Sequence, residues 1–259
     1  TGVYGTLIES GYFADKPGAV EFDATLSAVA ARTFADYERK NPVGYPLAWE
    51  SMKDGLTELL RQVIGQDLAE LTGSGFVPAS LETSVTGRLP NDWPEPLADL
   101  AIRGRMDRID RNNRNKAALR VVDYKFKFGA SPNIADKNLI RAALRGERLQ
   151  PPFYCLLAER ELGDKTEHTA RPAVQASFYY IAPRWSDGPL FPVSYGSEAL
   201  SGNLGAATVQ TIAYLADGVR QGRFFINRGD HCAHCEVATI CRKNHPPSLW
   251  RAENDPLTE

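Results

Sequence analysis

The chain has 259 residues, 43% of them hydrophobic and 24% charged, with a formal net charge of −2. That composition belongs to a folded chain with a core, and it excludes a disordered or fibrous segment. No stretch approaches the roughly 20 apolar residues of a membrane-spanning helix, and the slightly acidic balance means that any contact with nucleic acid must come from a local basic patch.

In chain order, residues 1–22 mix glycine, proline and polar residues and read as irregular. Residues 23–39 read as a helix with Leu26, Val29 and Phe34 inward. The strongest amphipathic helix is expected at 49–71, where Leu56, Leu59, Leu60, Val63, Ile64, Leu68 and Leu71 recur at helical spacing. Gly73-Ser74-Gly75 ends it. A strand is expected through 79–86, then a proline-rich loop at 90–96, then two strands carrying Asp107 and Asp123. Helices at 135–145 and 149–162, a strand at 174–181 and a helix at 205–221 lead through Gly222-Arg223-Phe224 to a polar segment rich in cysteine. Strands bracketed by helices argue an α/β class with a central mixed sheet. The division expected is a helical N-terminal part (1–75), an α/β core (76–225) and a cysteine-rich tail (226–259).

The most informative residues are Gly104-Arg105-Met106-Asp107-Arg108-Ile109-Asp110 and Val121-Val122-Asp123-Tyr124-Lys125. Asp123 and Lys125 are two apart in a strand and so share a face. A hairpin through the polar turn 111–116 brings Asp107 beside them. Carboxylates gathered at one point bind a hard cation such as Mg²⁺, and a neighbouring lysine can orient water or offset charge on a phosphate. Gln150 and Tyr154, four apart, share one face of the following helix.

In this order and spacing the chain resembles the PD-(D/E)XK nuclease superfamily in its RecB/AddB-like branch, which reads G-x-x-D-R-x-D, then a hydrophobic strand ending D-Y-K, then Q-x-x-x-Y. The resemblance spans roughly residues 80–245. It implies a restriction-endonuclease-like sheet flanked by helices, with residues 76–225 as the nuclease core. It also implies a Mg²⁺- or Mn²⁺-dependent deoxyribonuclease, an exonuclease above all, acting on single- or double-stranded DNA in a cytoplasmic helicase–nuclease repair and recombination system. Asp107 and Asp123 would hold the metal, with the Tyr124 carbonyl as a further ligand. Lys125 would position water, and Gln150 and Tyr154 would hold the DNA or brace the lysine. Glu82, in the preceding strand, is either a further member of the site or a solvent-facing strand residue. Arg108 contacts a phosphate or pairs with Asp110, and both readings stay open. Lys137, Arg141, Arg145 and Arg148, spaced by four, four and three, trace a basic helical face leading into Gln150, and Lys127 adds a charge past the catalytic strand. That face is either a DNA contact or a solvated surface.

Three of the four cysteines fall in Cys232-x2-Cys235-x5-Cys241. Close thiols in a loop point to a metal or cluster. In the resembling family this trio ligates a 4Fe–4S cluster, whose usual complement is four thiolates. The fourth ligand and an upstream histidine of that family have no match, because no cysteine precedes Cys155 and the first histidine is His168. With Thr1 as first residue, the expectation is a C-terminal fragment with those ligands elsewhere. Cys155 reads as a buried free thiol. The rival for the trio is zinc, held by the three thiolates with His245, and with His231 or His234 in reserve. Rival functions are a catalytically silent DNA- or partner-binding module, a stand-alone CRISPR-associated-type iron–sulfur exonuclease, and a zinc-binding interaction domain.

Overall fold

The structure is a computed structural model that describes residues 1–13, 22–127, 135–163, 173–182, 188–223, 232–233 and 235–254. The chain divides into two compact units, Thr1–Ile212 and Ala213–Glu259. The elements are α1 (Gly2–Glu9), α2 (Phe22–Lys40), α3 (Pro46–Ser74), β1 (Phe76–Arg88), β2 (Ala101–Asn112), β3 (Ala118–Phe126), α4 (Asp136–Leu144), α5 (Gln150–Gly163), β4 (Ala173–Ile181), β5 (Leu190–Gly196), a 3₁₀ turn (Ser197–Leu200), α6 (Gly202–Arg220) and α7 (Pro246–Glu253).

The sheet has five strands in the order β1-β2-β3-β4-β5. Only β3 and β4 run parallel. Their connection carries α4 and α5, as a parallel pair requires. Helices cover both faces. Val85, Met106, Ile109, Val121, Phe178 and Val193 pack with Leu139, Tyr154 and Leu157 on the α4–α5 side. On the other side Val3, Leu7, Leu26, Ile64 and Leu71 close one cluster, while Val63, Val122, Tyr179 and Leu190 close a second. This is the mixed, helix-flanked sheet expected from the sequence.

Helices α1 and α7 and strand β5 depart from that expectation. Residues 2–9 form a helix, although they were read as irregular. Eight residues do not sustain a helix alone, and this one is held by burying Val3, Tyr4 and Leu7. Strand β5 was not anticipated, because Pro192 interrupts its pattern. It is an edge strand, where a proline's missing N–H can face solvent and cost no ladder bond.

Candidate active site

Beyond the paired residues Arg108 and Val122, the β2–β3 ladder stops. Asp107 comes next on β2 and Asp123 next on β3, so both carboxylates stand where the strands fork. Strict alternation also breaks here, since Met106 and Ile109 join the same cluster despite being three apart. The Asp107 carboxylate replaces the ladder by accepting the Tyr124 backbone N–H at 3.0 Å. Burial, assisted by the Asp123 and Glu82 charges, pushes its pKa up from the ordinary carboxylate range, against the opposing hydrogen bond from Tyr124 and the charge of Lys125.

Asp123 is 4% exposed. Its Oδ1 accepts from Gln150 Nε2 at 2.9 Å and from the Tyr154 hydroxyl at 3.0 Å. Tyr154 also contacts the Arg105 carbonyl at 3.0 Å, and its ring stacks on Phe178. Burial and the Asp123 charge push the Tyr154 pKa up, so the phenol stays protonated and donates. The other oxygen of Asp123, Oδ2, lies 2.6 Å from Lys125 Nζ. It has no aligned hydrogen bond among the described residues, so that contact is one of charge rather than of direction. Gly104 explains the motif's glycine. A Cβ there would come 2.8 Å from a Leu157 methyl and 3.6 Å from the Tyr154 ring, so any larger residue would push against the α5 side chains that deliver Tyr154.

Glu82 lies on β1 with φ +50°, a left-handed conformation rare for a residue with a side chain. Its carboxylate pairs with Arg105 at 2.6 Å. It lines, with Asp107 and Tyr124, a cavity of about 580 Å³ whose other walls include Tyr4, Leu26, Val63 and Ile64. A second cavity, of about 400 Å³, is lined by Lys125, Lys127, Arg148, Gln150, Phe178 and Tyr180. Lys127 lies over the Tyr180 ring, and Arg148 donates to the Tyr180 hydroxyl at 2.7 Å.

Arg108 corrects one expectation. Its side chain is 0% exposed and cannot reach a phosphate. It pairs instead with Asp110 at 2.8 Å and with Asp67, and donates to the Tyr124 hydroxyl at 2.7 Å. Arg120 extends the network to Asp110 and Glu70. The Tyr4 hydroxyl donates to Asp67. Sequence reading missed Asp67, although its place in the apolar stripe between Ile64 and Leu68 was a signal that it is buried. The single basic helical face is also corrected. Helix α4 ends at Leu144, with Arg145 as its cap, and Arg148 lies in the turn before α5. Arg141 and Arg145 are exposed, and Arg145 approaches Glu147 at 3.9 Å.

The donor set fits a hard cation. Two carboxylates meet at the fork, one raised in pKa and the other holding an oxygen without a directed partner. Among the described residues no three His, Cys, Asp or Glu side chains are gathered into a group that could hold a metal ion.

The sequence profile of the PD-(D/E)XK nuclease superfamily matches residues 6–242. The chain belongs to that superfamily. The five-stranded mixed sheet agrees with the restriction-endonuclease-like fold of PD-(D/E)XK proteins. The solved structure "Crystal structure of SSO0001" is similar over 93% of this chain and 94% of its own, at 14% identity and a TM-score of 0.36. Comparison with curated proteins gives no match.

In the second unit, Cys232, Cys235 and Cys241 are free, partly exposed thiols, and His245 Nδ1 shares a hydrogen bond with Ser248 Oγ. Among the described residues these thiols are not gathered into a ligand set. His231 and His234 lie outside the described residues, as do Phe224 and His168. Cys155 is a buried thiol within 3.6 Å of the Tyr195 carbonyl. No helix among the described residues is long and apolar enough to cross a membrane.

Proposed function

We propose that this chain is a Mg²⁺- or Mn²⁺-dependent deoxyribonuclease, hydrolysing phosphodiesters at the fork between β2 and β3. The observation that carries the reading is the convergence of Asp107, Asp123 and Lys125, with Asp123 fixed by Gln150 and Tyr154. Asp107 and Asp123 are the residues that would hold the cation. A divalent cation there supplies a water of lowered pKa and polarises the phosphate. Gln150 and Tyr154 occupy Asp123 Oδ1, which leaves Oδ2 to Lys125 and to the cation. Lys125 is 40% exposed in its side chain, so it reaches both Asp123 and an incoming phosphate, and it offsets charge as the phosphorus becomes pentacoordinate. Lys127 and Arg148, in the cavity beyond Lys125, would hold an adjacent phosphate, with Tyr180 and Phe178 as apolar walls for the sugar or base.

The test is cleavage of linear single- and double-stranded DNA with Mg²⁺ or Mn²⁺, comparing wild type with Asp123→Ala and Lys125→Ala. Cutting that needs metal and disappears in both variants supports the reading. Its absence in wild type favours a silent DNA-binding module.

We infer further that the cysteine segment takes a 4Fe–4S cluster, with an additional ligand from outside Cys232, Cys235 and Cys241. The spacing of the trio supports this, and free thiols suit a reducing, cytoplasmic compartment. An exonuclease role beside a helicase, in repair or recombination, rests on the order of the G-x-x-D-R-x-D, D-Y-K and Q-x-x-x-Y motifs.

A further inference from the structure

Strand β2 runs from the site back through Arg105 and Arg103, into a two-stranded ribbon with β1. Ser84 pairs with Arg105, Thr86 with Arg103 and Arg88 with Ala101. All six residues are exposed, whereas Val85, between Ser84 and Thr86, is buried against the α5 side. The ribbon therefore has one packed side and one side open to solvent. The open side carries three arginines and two hydroxyls, and its nearest carboxylates stand at its two ends.

Those carboxylates are Glu82, paired with Arg105 at 2.6 Å, and Asp99, paired with Arg88 at 2.7 Å. Arg103, between them, has no ion-pair partner among the described residues. Glu82 lines the same cavity as Asp107, so Arg105 adjoins the cleavage site. Residues two apart in a strand are about 6.6 Å apart, close to the phosphate-to-phosphate step of an extended single strand. Arg103 and Arg105, two cations at that step on one strand, match two successive phosphates of a single sugar–phosphate backbone.

We propose that the solvent side of the β1–β2 ribbon is a track for single-stranded DNA, with Arg105 and Arg103 each taking one of the phosphates next to the scissile one, and the Ser84 and Thr86 hydroxyls lining the path. This rests on the nuclease reading and names its substrate as a strand that is single at the site. Arg105 exchanges Glu82 for a phosphate when DNA arrives, and Glu82 is then released toward the cation.

The test is fluorescence anisotropy of a fluorescein-labelled oligothymidylate with the full chain in Ca²⁺, across a salt series. Arg103→Gln, Arg105→Gln, their double variant and Thr86→Glu are compared with Arg39→Gln, an exposed arginine on α2. Each arginine that contacts a phosphate lowers the slope of log affinity against log salt by about 0.7 when removed. The two single variants should each lose that much, the double variant about twice as much, and Arg39→Gln nothing. Thr86→Glu, which sets a carboxylate opposite Arg103, should weaken binding without unfolding the protein by circular dichroism. Slopes unchanged in Arg103→Gln and Arg105→Gln, in a wild type that binds and cuts DNA, overturn the track and leave the nuclease standing. A wild type that neither binds nor cuts the oligomer overturns both.

Discussion

Tyr124 and Asp107 are joined across the fork by a backbone N–H donated to a carboxylate at 3.0 Å, and the same tyrosine accepts at its hydroxyl from the buried Arg108. One residue thus ties the site to the charge network beneath the sheet. It also fixes one oxygen of Asp107 in a place where burial and two neighbouring carboxylates oppose ionisation.

Asp107 is therefore a source of instability in the metal-free protein. Its pKa is raised on folding, so the folded state holds the proton more tightly than the unfolded chain does. Stability falls as pH rises from the ordinary carboxylate range through the raised pKa, and it stays lower above it. Asp107→Asn should accordingly raise the Tm of metal-free protein at neutral pH and change it little in acid. Mg²⁺ should raise the Tm of wild type more than that of the variant. A variant melting below wild type at neutral pH would contradict this account.

The same shift governs metal affinity. Cation and proton compete for Asp107, so Mn²⁺ binding measured by calorimetry should weaken as pH falls, starting above the pH at which an ordinary aspartate protonates. Higher Mn²⁺ should move the acidic limb of the cleavage profile to lower pH. A limb that does not move with metal concentration would place the titrating group elsewhere.

Removing the Tyr154 hydroxyl should act through Asp123. Tyr154→Phe keeps the ring on Phe178 but frees Asp123 Oδ1 from one of its two donors. Partners that orient a metal ligand are worth about 10–100-fold in affinity or activity. The loss is expected in Mn²⁺ affinity as well as in rate. Lys125→Ala should instead lower the rate by on the order of 10²–10³ while Mn²⁺ affinity holds or rises, because Lys125 competes with the cation for Asp123 Oδ2. Isothermal titration beside single-turnover cleavage separates the two patterns.

Where the sequence was readable, the signals were local. The D-Y-K strand and the stripe on α3 declare themselves by period, and the polar turn between β2 and β3 lies where composition put it. Helix α1 was hidden because its stability comes from burial of Val3, Tyr4 and Leu7 rather than from its own pattern. The placement of Arg108 was undecidable for a related reason. An arginine between two aspartates reads equally as a surface contact or as a buried pair, until α3 is known to lay Asp67 over that side of β2. Arg148 looked like the end of a helical row only because the break after Leu144 is set by packing and a glycine turn, not by the charge spacing.

The buried network should behave as structure, not as substrate contact. Arg108→Ala leaves Asp67 and Asp110 without their shared cation, and breaking such a pair costs about 3–5 kcal/mol. Urea unfolding should show that loss, and the salt slope of DNA binding should stay that of wild type at temperatures where the variant is folded. A stable variant with a reduced slope would return Arg108 to the phosphate-binding set.

Glu82 supplies a case in which stability and activity should move in opposite directions. Its φ of +50° costs an ordinary residue about 1–3 kcal/mol, and such strain persists where surrounding structure imposes it. Glycine adopts this conformation freely. Glu82→Gly also removes one of the charges that oppose ionisation of Asp107, so both effects favour the folded state. The exposed pair with Arg105 that it gives up contributes little. The variant should unfold at higher urea than wild type and cut DNA more slowly. Glu82→Gln, which keeps the strain and loses the charge, should lose activity with a smaller gain in stability. If Glu82→Gly cuts at the wild-type rate, the glutamate's strained backbone serves no catalytic purpose, and Arg105 alone accounts for its position.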